Sequence, residues 1–264
     1  MPTLSVYPPQ EGRYAETVSL IRLLCFKSNR ENLMLISHRY RFIYTKTAKT
    51  ASTSVESFFE QFCMPEGAWT QSHARSEYES PTGIIGYRGS DLPKGTKWWN
   101  HMSASEIKKI VGSDVWDSYF KFCVVRNPFE KCISAFCHFG KDYQVDRRSA
   151  LNGLRDEEIS MEQLRFIGFL QKMAPADRDK YIINGEFCLD NFIRYETLGE
   201  DIRRICRHID VPFDLKNLPM FKKGIRDENA TIESLYTKKS RDIVERLFDF
   251  ELQYFGYHFP NPVT

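Results

Sequence analysis

The sequence predicts an α/β fold, because apolar segments typical of β-strands lead directly into segments with helical periodicity. The first junction joins a strand pattern at Arg41–Lys46 to an amphipathic helix pattern at Val55–Phe62. The second follows the strand pattern of Phe120–Arg126, and Asn191–Tyr195 is a third strand pattern. The chain of 264 residues is long enough for one α/β domain, and no shift in composition marks a linker. We therefore expect residues 1–264 to form a single domain.

The loop Lys49–Ser54 lies where the first strand gives way to its helix, and it contains one lysine and four hydroxyl side chains in six residues. The N-terminus of a helix offers unpaired N–H groups and a positive dipole end, which favour an anion. The loop therefore predicts a phosphate site. It lacks the two glycines of a nucleotide-triphosphate loop, because Ile43 and Ala48 stand in their places. The alternative is a helix start that is merely rich in Ser and Thr.

Arg126 ends the second apolar strand, and Asn127 and Pro128 suit the N-cap and the first turn of a following helix. Open α/β sheets bind ligands at the carboxyl ends of their strands, so a guanidinium at this position indicates a second anion site. Three- and four-residue spacing places one polar stripe on the helix, formed by Lys131, Ser134, His138 and Lys141. A solvated basic helix face is the alternative interpretation of the two lysines.

Two helices have recognisable start signals elsewhere in the chain. Ser103 and Glu106 form the sequence pattern of a capping box and predict a helix over Ala104–Val111. Ser160 likewise precedes a helical pattern over Met161–Met173.

Two phosphate sites at successive junctions suggest a nucleotide with phosphates at separate ends, and at these motifs the chain resembles the sulfotransferases. The segment Lys49–Ser54 resembles their 5′-phosphosulfate loop, and Arg126-Asn127-Pro128 with Ser134 resembles their 3′-phosphate motif. The resemblance covers most of the chain and is closest to sulfotransferase family 2, which includes Golgi carbohydrate sulfotransferases and soluble bacterial members. It implies a P-loop-like parallel sheet of about five strands, flanked by helices on both faces.

The same resemblance implies 3′-phosphoadenosine 5′-phosphosulfate (PAPS) as the sulfuryl donor, adenosine 3′,5′-bisphosphate as its product, and no metal. Lys49 is the implied catalytic lysine, because a cation there neutralises charge on the leaving bridging oxygen. A basic-glycine segment at 222–224 resembles the one that closes over the 3′-phosphate, with a solvated turn as its alternative. The implied donor-binding residues are Lys49, Thr50, Ala51, Ser52, Thr53, Ser54, Arg126, Ser134, Lys222, Lys223 and Gly224.

The segments 64–100 and 141–160 have little periodicity, and we expect both to shape the acceptor pocket. The first segment ends in two tryptophans and is followed by His101. These three residues are either an aromatic surface that stacks against the acceptor, with a base beside it, or a hydrophobic plug. The resemblance favours His101 as the catalytic base, since it lies shortly before the second phosphate strand. The side chains that we expect to contact the acceptor are Trp98, Trp99 and His138.

Bulk composition narrows the partners and the compartment. A net charge of +2 and a pI near 8.1 make a general nucleic-acid-binding surface an unfavourable interpretation. No apolar run of membrane-spanning length and no signal-peptide layout occur, so we expect a cytoplasmic protein without a membrane partner. The seven cysteines include no C-x-x-C pair, which indicates reduced, buried thiols and no zinc site.

The function that the resemblance implies is in-line transfer of a sulfuryl group from PAPS. The expected acceptor is a hydroxyl, or an amide or carbamoyl nitrogen, of a small metabolite or glycan. Two alternatives remain at this stage. A nucleotide kinase should have the glycine-rich loop and usually an aspartate that ends a strand and binds magnesium, whereas the second strand here ends in Arg126. A catalytically inactive nucleotide-binding module should lack the implied catalytic pair Lys49 and His101.

Overall fold

The computed structural model describes residues 34–89, 92–99, 102–140, 143–146, 159–219, 221 and 227–260. These residues form a central sheet with helices packed against it, so the predicted α/β fold is confirmed. In this part of the chain the strands are β1 (Met34–Ser37), β2 (Phe42–Thr45), β3 (Tyr78–Ser80), β4 (Gly83–Ile85), β5 (Phe120–Val125), β6 (Ile182–Ile183), β7 (Glu186–Phe187) and β8 (Asn191–Arg194).

The central sheet has the strand order β3-β4-β1-β2-β5-β8, and β6 pairs with β7 in a separate ribbon. The strands β2, β5 and β8 are parallel, whereas β1, β3 and β4 join antiparallel. The sheet is therefore mixed and six-stranded, where the resemblance implied a parallel sheet of about five strands. Only residues 38–41 connect β1 to β2, and so short a connection allows antiparallel pairing alone, because a parallel crossover needs about a dozen residues.

The described residues form nine α-helices, three of which follow the parallel strands. They are α1 (Ser52–Glu60), α2 (Ala104–Val111), α3 (Ser113–Ser118), α4 (Pro128–Phe139), α5 (Met161–Met173), α6 (Leu198–His208), α7 (Ile232–Leu235), α8 (Lys238–Leu247) and α9 (Asp249–Tyr254). The predicted helices α2 and α5 both begin at capping boxes, with Ser103 bonded to Glu106 and Ser160 bonded to Gln163.

Alternating residues of β2 send side chains to opposite faces of the sheet, and each face has its own core. Phe42 and Tyr44 pack with Phe59 and with residues of α6 on one face. Ile43 packs on the other face with Trp98 and with residues of α2. The sheet is thus covered on both faces, and the carboxyl ends of β2, β5 and β8 open together at one edge.

A third apolar core lies away from the sheet, between α4, α5, α7 and α8. Its largest buried members include Phe129 and Phe136 of α4 and Phe166 and Phe169 of α5. This core holds α4 in place, which matters because α4 begins at Arg126-Asn127-Pro128. Asn127 caps α4 as predicted, with its side-chain oxygen accepting from the Phe129 N–H at 3.1 Å.

Candidate functional site

The predicted phosphate loop spans the gap between the end of β2 and the first turn of α1. Lys49 has φ 59° and Ala51 has φ 57°, so two non-glycine residues of this loop adopt the left-handed conformation. Such residues cost of order 1–3 kcal/mol each and persist only where surrounding contacts determine them. One such contact lies beneath the loop, where the Thr47 hydroxyl donates to the Val124 carbonyl and lies 2.8 Å from the Thr50 hydroxyl. The Thr50 side chain is fully buried by this arrangement.

The start of α1 has the properties of an anion site. Among the described residues, no side chain caps this helix, and its first turn contains no acidic residue. By contrast, α2, α5, α7 and α8 all begin at capping boxes. The first N–H groups of an uncapped helix stay available to a ligand. The Ser54 hydroxyl, in the first turn, accepts a hydrogen bond from the Phe221 N–H at 3.2 Å.

Charged side chains hold two backbone groups of the Ala48–Lys49 segment. The N–H of Ala48, just before Lys49, donates to Asp177 Oδ2 at 2.6 Å. The carbonyl oxygen of Lys49 accepts from Arg126 Nη1 at 3.1 Å. The Lys49 ammonium lies 5.5 Å from the centre of the Phe139 ring, at the carboxyl end of α4. Lys49 is therefore positioned by groups from β5, from α4 and from the segment that contains Asp177.

Arg126 follows β5 directly, and its guanidinium also contacts Tyr195 and Glu130. It stacks over the ring of Tyr195 at 4.1 Å, and its Nη2 lies 3.7 Å from Glu130 Oε2. Tyr195 follows β8, so the arginine bridges the ends of all three parallel strands. A planar guanidinium fixed in this way is suited to bidentate recognition of a phosphate. Ser134, the other side chain of this predicted motif, is half-buried on α4.

A buried ionic cluster lies behind the loop, between α1 and the segment before α2. Glu56 and Glu60 of α1 are fully buried and pair with cations at 2.5–3.0 Å. Burial raises the pKa of Glu56, and the opposing effect of its cationic neighbours only partly offsets this. The cationic members of the cluster are Lys46, Arg75 and Arg88. Ion pairs therefore connect the predicted acceptor segment 64–100 to α1, the helix that follows the phosphate loop.

Comparison with known proteins identifies the family of this chain. A family model described as the sulfotransferase family matches residues 32–258. The chain belongs to the sulfotransferase family. It is similar to carbohydrate sulfotransferase 10 of Xenopus laevis, with 22% identity over 94% of this chain and 77% of that protein. The same protein of Gallus gallus is 24% identical over 94% of this chain and 76% of its own length. No solved structure matches the chain significantly.

The environment of Lys131 excludes one interpretation of its side chain. A solvated basic helix face was the alternative for Lys131, and that alternative is wrong, because the side chain is buried against Asp177. The helical period places Lys131 on a polar stripe with Ser134 and His138, and both of those are half-buried. His138 packs edge-on against Phe139, whose ring contacts Lys49, so the structure brings this part of the stripe close to the loop.

The two tryptophans have different environments. Trp98 is 3% exposed, packs in the core between the sheet and α2, and donates its indole N–H to Glu79 Oε2 at 2.7 Å. This is the environment of a hydrophobic plug, and an acceptor contact by Trp98 stays a prediction. Trp99 is half-buried and forms a parallel bridge with Tyr87. The side chain of Trp99 is thus more accessible to a bound molecule than that of Trp98.

Several predicted residues lie outside the described residues, namely His101, Lys222, Lys223 and Gly224. The described Phe221 precedes the basic-glycine segment directly in the sequence, and its own N–H donates to Ser54 in the first turn of α1. Most of the predicted acceptor segment 141–160 also lies outside the described residues. In the described part of the chain, no group of His, Cys, Asp and Glu could hold a metal ion, and no helix is long and apolar enough to cross a membrane.

Three residues of the candidate site were not predicted from the sequence. Asp177 and Tyr195 contact the loop or its arginine, and His73 packs edge-on against Phe221 beside the start of α1. The spacing of residues in the chain contains no signal for Asp177, which lies 129 residues after its partner Ala48. Tyr195 had a usable signal, because it ends a strand parallel to the one that Arg126 ends.

Proposed function

We propose that this sulfotransferase moves a sulfuryl group from PAPS to a hydroxyl, or to an amide or carbamoyl nitrogen, of a small metabolite or glycan. The observation that carries the proposal is the hydrogen bond between Arg126 Nη1 and the Lys49 carbonyl. It joins two cationic residues at the carboxyl ends of neighbouring parallel strands, where open α/β sheets bind nucleotides. A donor with a phosphate at each end needs two such cations at one cleft.

The 5′ end of the donor fits the loop and the start of α1. The uncapped N-terminus of α1 supplies N–H groups and a positive dipole end for the 5′-phosphate. The Thr50 hydroxyl is bonded to Thr47 within the protein, so Thr50 contributes through its backbone. Ser52 and Ser54 are buried at the first turn, and Thr53 is half-buried and better placed for a side-chain contact.

The proposed mechanism gives each predicted site residue one role. Negative charge grows on the bridging oxygen as the sulfuryl group leaves, and the Lys49 ammonium neutralises it. His101, neutral near pH 7, takes the proton from the acceptor. Arg126 and Ser134, with Lys222, Lys223 and Gly224, hold the 3′-phosphate, and binding energy at that remote end orients the reacting end. The scheme requires no metal.

The acceptor class rests on the relatives. Two of the similar proteins are carbohydrate sulfotransferases, which favours a glycan as the acceptor of this chain. The half-buried Trp99 suits stacking against a sugar face. A small metabolite is the second candidate. A cytoplasmic location is part of the proposal, and the free cysteines of the described residues support it.

Thermal-shift titration with adenosine 3′,5′-bisphosphate, ATP and ADP side by side tests the donor. A ligand that binds only the folded state raises its apparent stability by mass action. We expect a clear rise in Tm with the bisphosphate and little with ATP. A shift with ATP alone would favour the kinase alternative, and no shift with any nucleotide would contradict the proposed donor.

Radiolabelled sulfuryl transfer from PAPS onto a panel of glycans and small hydroxylated metabolites tests the reaction itself. We expect label in at least one acceptor class. Binding of the bisphosphate without any transfer across the panel would favour the inactive-module alternative.

A further inference from the structure

The carboxylate of Asp177 connects the phosphate loop to α4. Its Oδ2 accepts the Ala48 N–H at 2.6 Å, and its Oδ1 lies 2.5 Å from the ammonium of Lys131. Both side chains are nearly inaccessible, with about one-twentieth of their surface exposed. Burying a carboxylate and an ammonium is unfavourable unless each is paired and hydrogen-bonded, so each charge fixes the position of the other.

Asp177 is itself held rigidly, because the next residue anchors the segment to the C-terminal helices. Arg178 donates to both carboxylate oxygens of Glu251, at 2.6 and 3.2 Å. It also contacts Asp249 Oδ1 at 3.0 Å and the Leu247 carbonyl at 3.1 Å. A carboxylate on a segment held in this way can fix the position of the loop backbone that it contacts.

The position that it imposes concerns the residue after Ala48. Lys49 has φ 59°, a conformation that a residue with a side chain rarely adopts. Asp177 holds the N–H before Lys49 and Arg126 holds the carbonyl after it. The two contacts lie on either side of the Ala48–Lys49 peptide and so restrict the backbone in which Lys49 is left-handed. The bond to Asp177 also occupies the Ala48 N–H, which leaves phosphate binding to later N–H groups of the loop.

We propose that Asp177, with Lys131 as its counter-ion, is a positioning residue for the 5′-phosphate end of the donor site. The inference rests on the proposed function, because it assumes that this loop binds the 5′ end of a nucleotide. In this role Asp177 touches neither donor nor acceptor. It sets the loop in its anion-binding shape before the donor arrives, so the loop need not be reorganised on binding.

The substitution Asp177→Asn tests this role because it keeps the size of the side chain and removes its charge. We expect affinity for adenosine 3′,5′-bisphosphate to fall about tenfold or more, since misplaced binding groups are costly. Affinity for adenosine 3′-monophosphate, which lacks the 5′-phosphate, should stay within about twofold of wild type. A general loss of stability would lower the affinity for both nucleotides alike. A loss of affinity for the bisphosphate alone therefore distinguishes a positioning role from a role in folding. Calorimetric titration measures both affinities.

The chain offers a control in Asp190, an exposed aspartate with the same two kinds of partner group. Its Oδ2 also accepts one backbone N–H, that of Lys121 at 2.7 Å, and pairs with one lysine ammonium, that of Lys121 at 2.8 Å. This pair lies at the amino end of β5, away from the loop. Asp190→Asn should therefore leave both affinities unchanged. A double variant, Asp177→Asn with Lys131→Met, removes both buried charges and should show the same selective loss if the single variant fails to fold.

Hydrogen exchange of residues 46–54 in the ligand-free protein separates this inference from the proposed function. We expect faster exchange in Asp177→Asn than in wild type and no change in Asp190→Asn. If wild type binds no bisphosphate, the proposed donor fails, and the exchange result alone decides whether Asp177 positions the loop. Unchanged exchange, or equal weakening of the two nucleotides, would overturn the positioning role.

Discussion

Arg126 donates a hydrogen bond to the carbonyl oxygen of Lys49, although 77 residues separate them in the chain. Parallel pairing of β2 with β5 brings the two residues together, because each lies just beyond the carboxyl end of its strand. The predicted ligand of the 3′-phosphate thus also supports the backbone of the predicted catalytic lysine. The two predicted phosphate sites are therefore in direct contact within the protein.

The first prediction concerns Arg126→Ala. Hydrogen bonds to a charged group are worth about 1.5–3 kcal/mol, which corresponds to roughly 10- to 100-fold in affinity. We expect adenosine 3′,5′-bisphosphate to bind more weakly by this factor and adenosine 5′-monophosphate to lose much less. Calorimetric titration of both nucleotides measures the difference, and Arg126→Lys, which keeps the charge without the planar fork, should fall between. An unchanged preference for the bisphosphate would contradict the assignment.

The second prediction concerns Lys49→Ala. Removing the group that neutralises transition-state charge typically lowers the rate about 10²- to 10³-fold. We expect radiolabelled transfer from PAPS to fall by at least this factor, while affinity for the bisphosphate product changes much less. Lys109→Ala, on the exposed part of α2, is a control that should keep full activity. Turnover near the wild-type rate in Lys49→Ala would rule out its catalytic role.

The third prediction concerns His101 as the general base. Such a base contributes about 10²- to 10⁴-fold, and it must be neutral to accept a proton. Transfer by the wild type should therefore decline as the pH falls below about 6.5, the ordinary pKa of histidine. In His101→Ala the rate should be low and this acidic decline should disappear. A pH–rate profile of the variant that keeps the same acidic limb would point to another base.

The fourth prediction concerns the buried ionic cluster behind the loop. Arg88→Met leaves the buried carboxylates of Glu56 and Glu60 without this shared cation, and breaking a buried pair costs about 3–5 kcal/mol. Urea unfolding near pH 7 should reveal a loss of this size. The exposed pair of Lys97 with Glu79 supplies the control, since Lys97→Met should cost about 1 kcal/mol or less. Equal losses in the two variants would show that the cluster adds no special stability.

The acid dependence of that loss follows from the pKa of Glu56. Burial raises this pKa even in the intact protein, and removing a cationic neighbour can only raise it further. The folded form of Arg88→Met then binds a proton more tightly than the unfolded chain does. Its stability relative to wild type should therefore improve as the pH is lowered. Urea midpoints of both proteins at pH 5 and pH 7 measure this change.

Local patterns were sufficient to predict the three parallel strands and the helices that follow two of them. Phe120–Val125 and its helix were predictable because apolar strand residues, Asn127 and Pro128 act within a few positions of one another. The antiparallel strands β3 and β4 were not predictable, since each has only three residues and lies in a segment without clear periodicity. β4 pairs with β1 and β3 pairs with β4, so both strands depend on neighbours elsewhere in the chain rather than on their own sequence alone.

The sequence predicted site residues only where they lie at a strand-to-helix junction. Arg126 ends one strand pattern and Lys49 lies in the loop that follows another, and the topology of parallel sheets brings such ends together. Asp177 could not be predicted, because nothing within its own segment indicates that its partners are Ala48 and Lys131. Lys131 was misread for the same reason. Helical spacing shows which residues share a stripe, but the partner that allows a lysine to be buried comes from another part of the chain.

The last prediction concerns alkaline pH and the thiol of Cys132. Burial raises the pKa of this thiol to about 12, against opposing effects of Lys131 and of a hydrogen bond with Tyr236. In the unfolded chain the thiol loses its proton near pH 8.5. Between these values the folded state binds more protons than the unfolded state, so stability falls as the pH rises. The contribution of one such thiol is about 1.4 kcal/mol per pH unit.

Cys132→Ala should therefore lower stability at pH 7 by removing packed volume, yet make stability less sensitive to pH above about 9. The measurement is the free energy of unfolding in urea at intervals from pH 7 to pH 10.5, for wild type and variant together. Because all other titrating groups are shared, the difference between the two curves isolates the thiol. We expect the curves to be parallel below pH 8 and to converge above it. Curves that stay parallel throughout would mean that Cys132 ionises no later in the folded protein than in the unfolded chain.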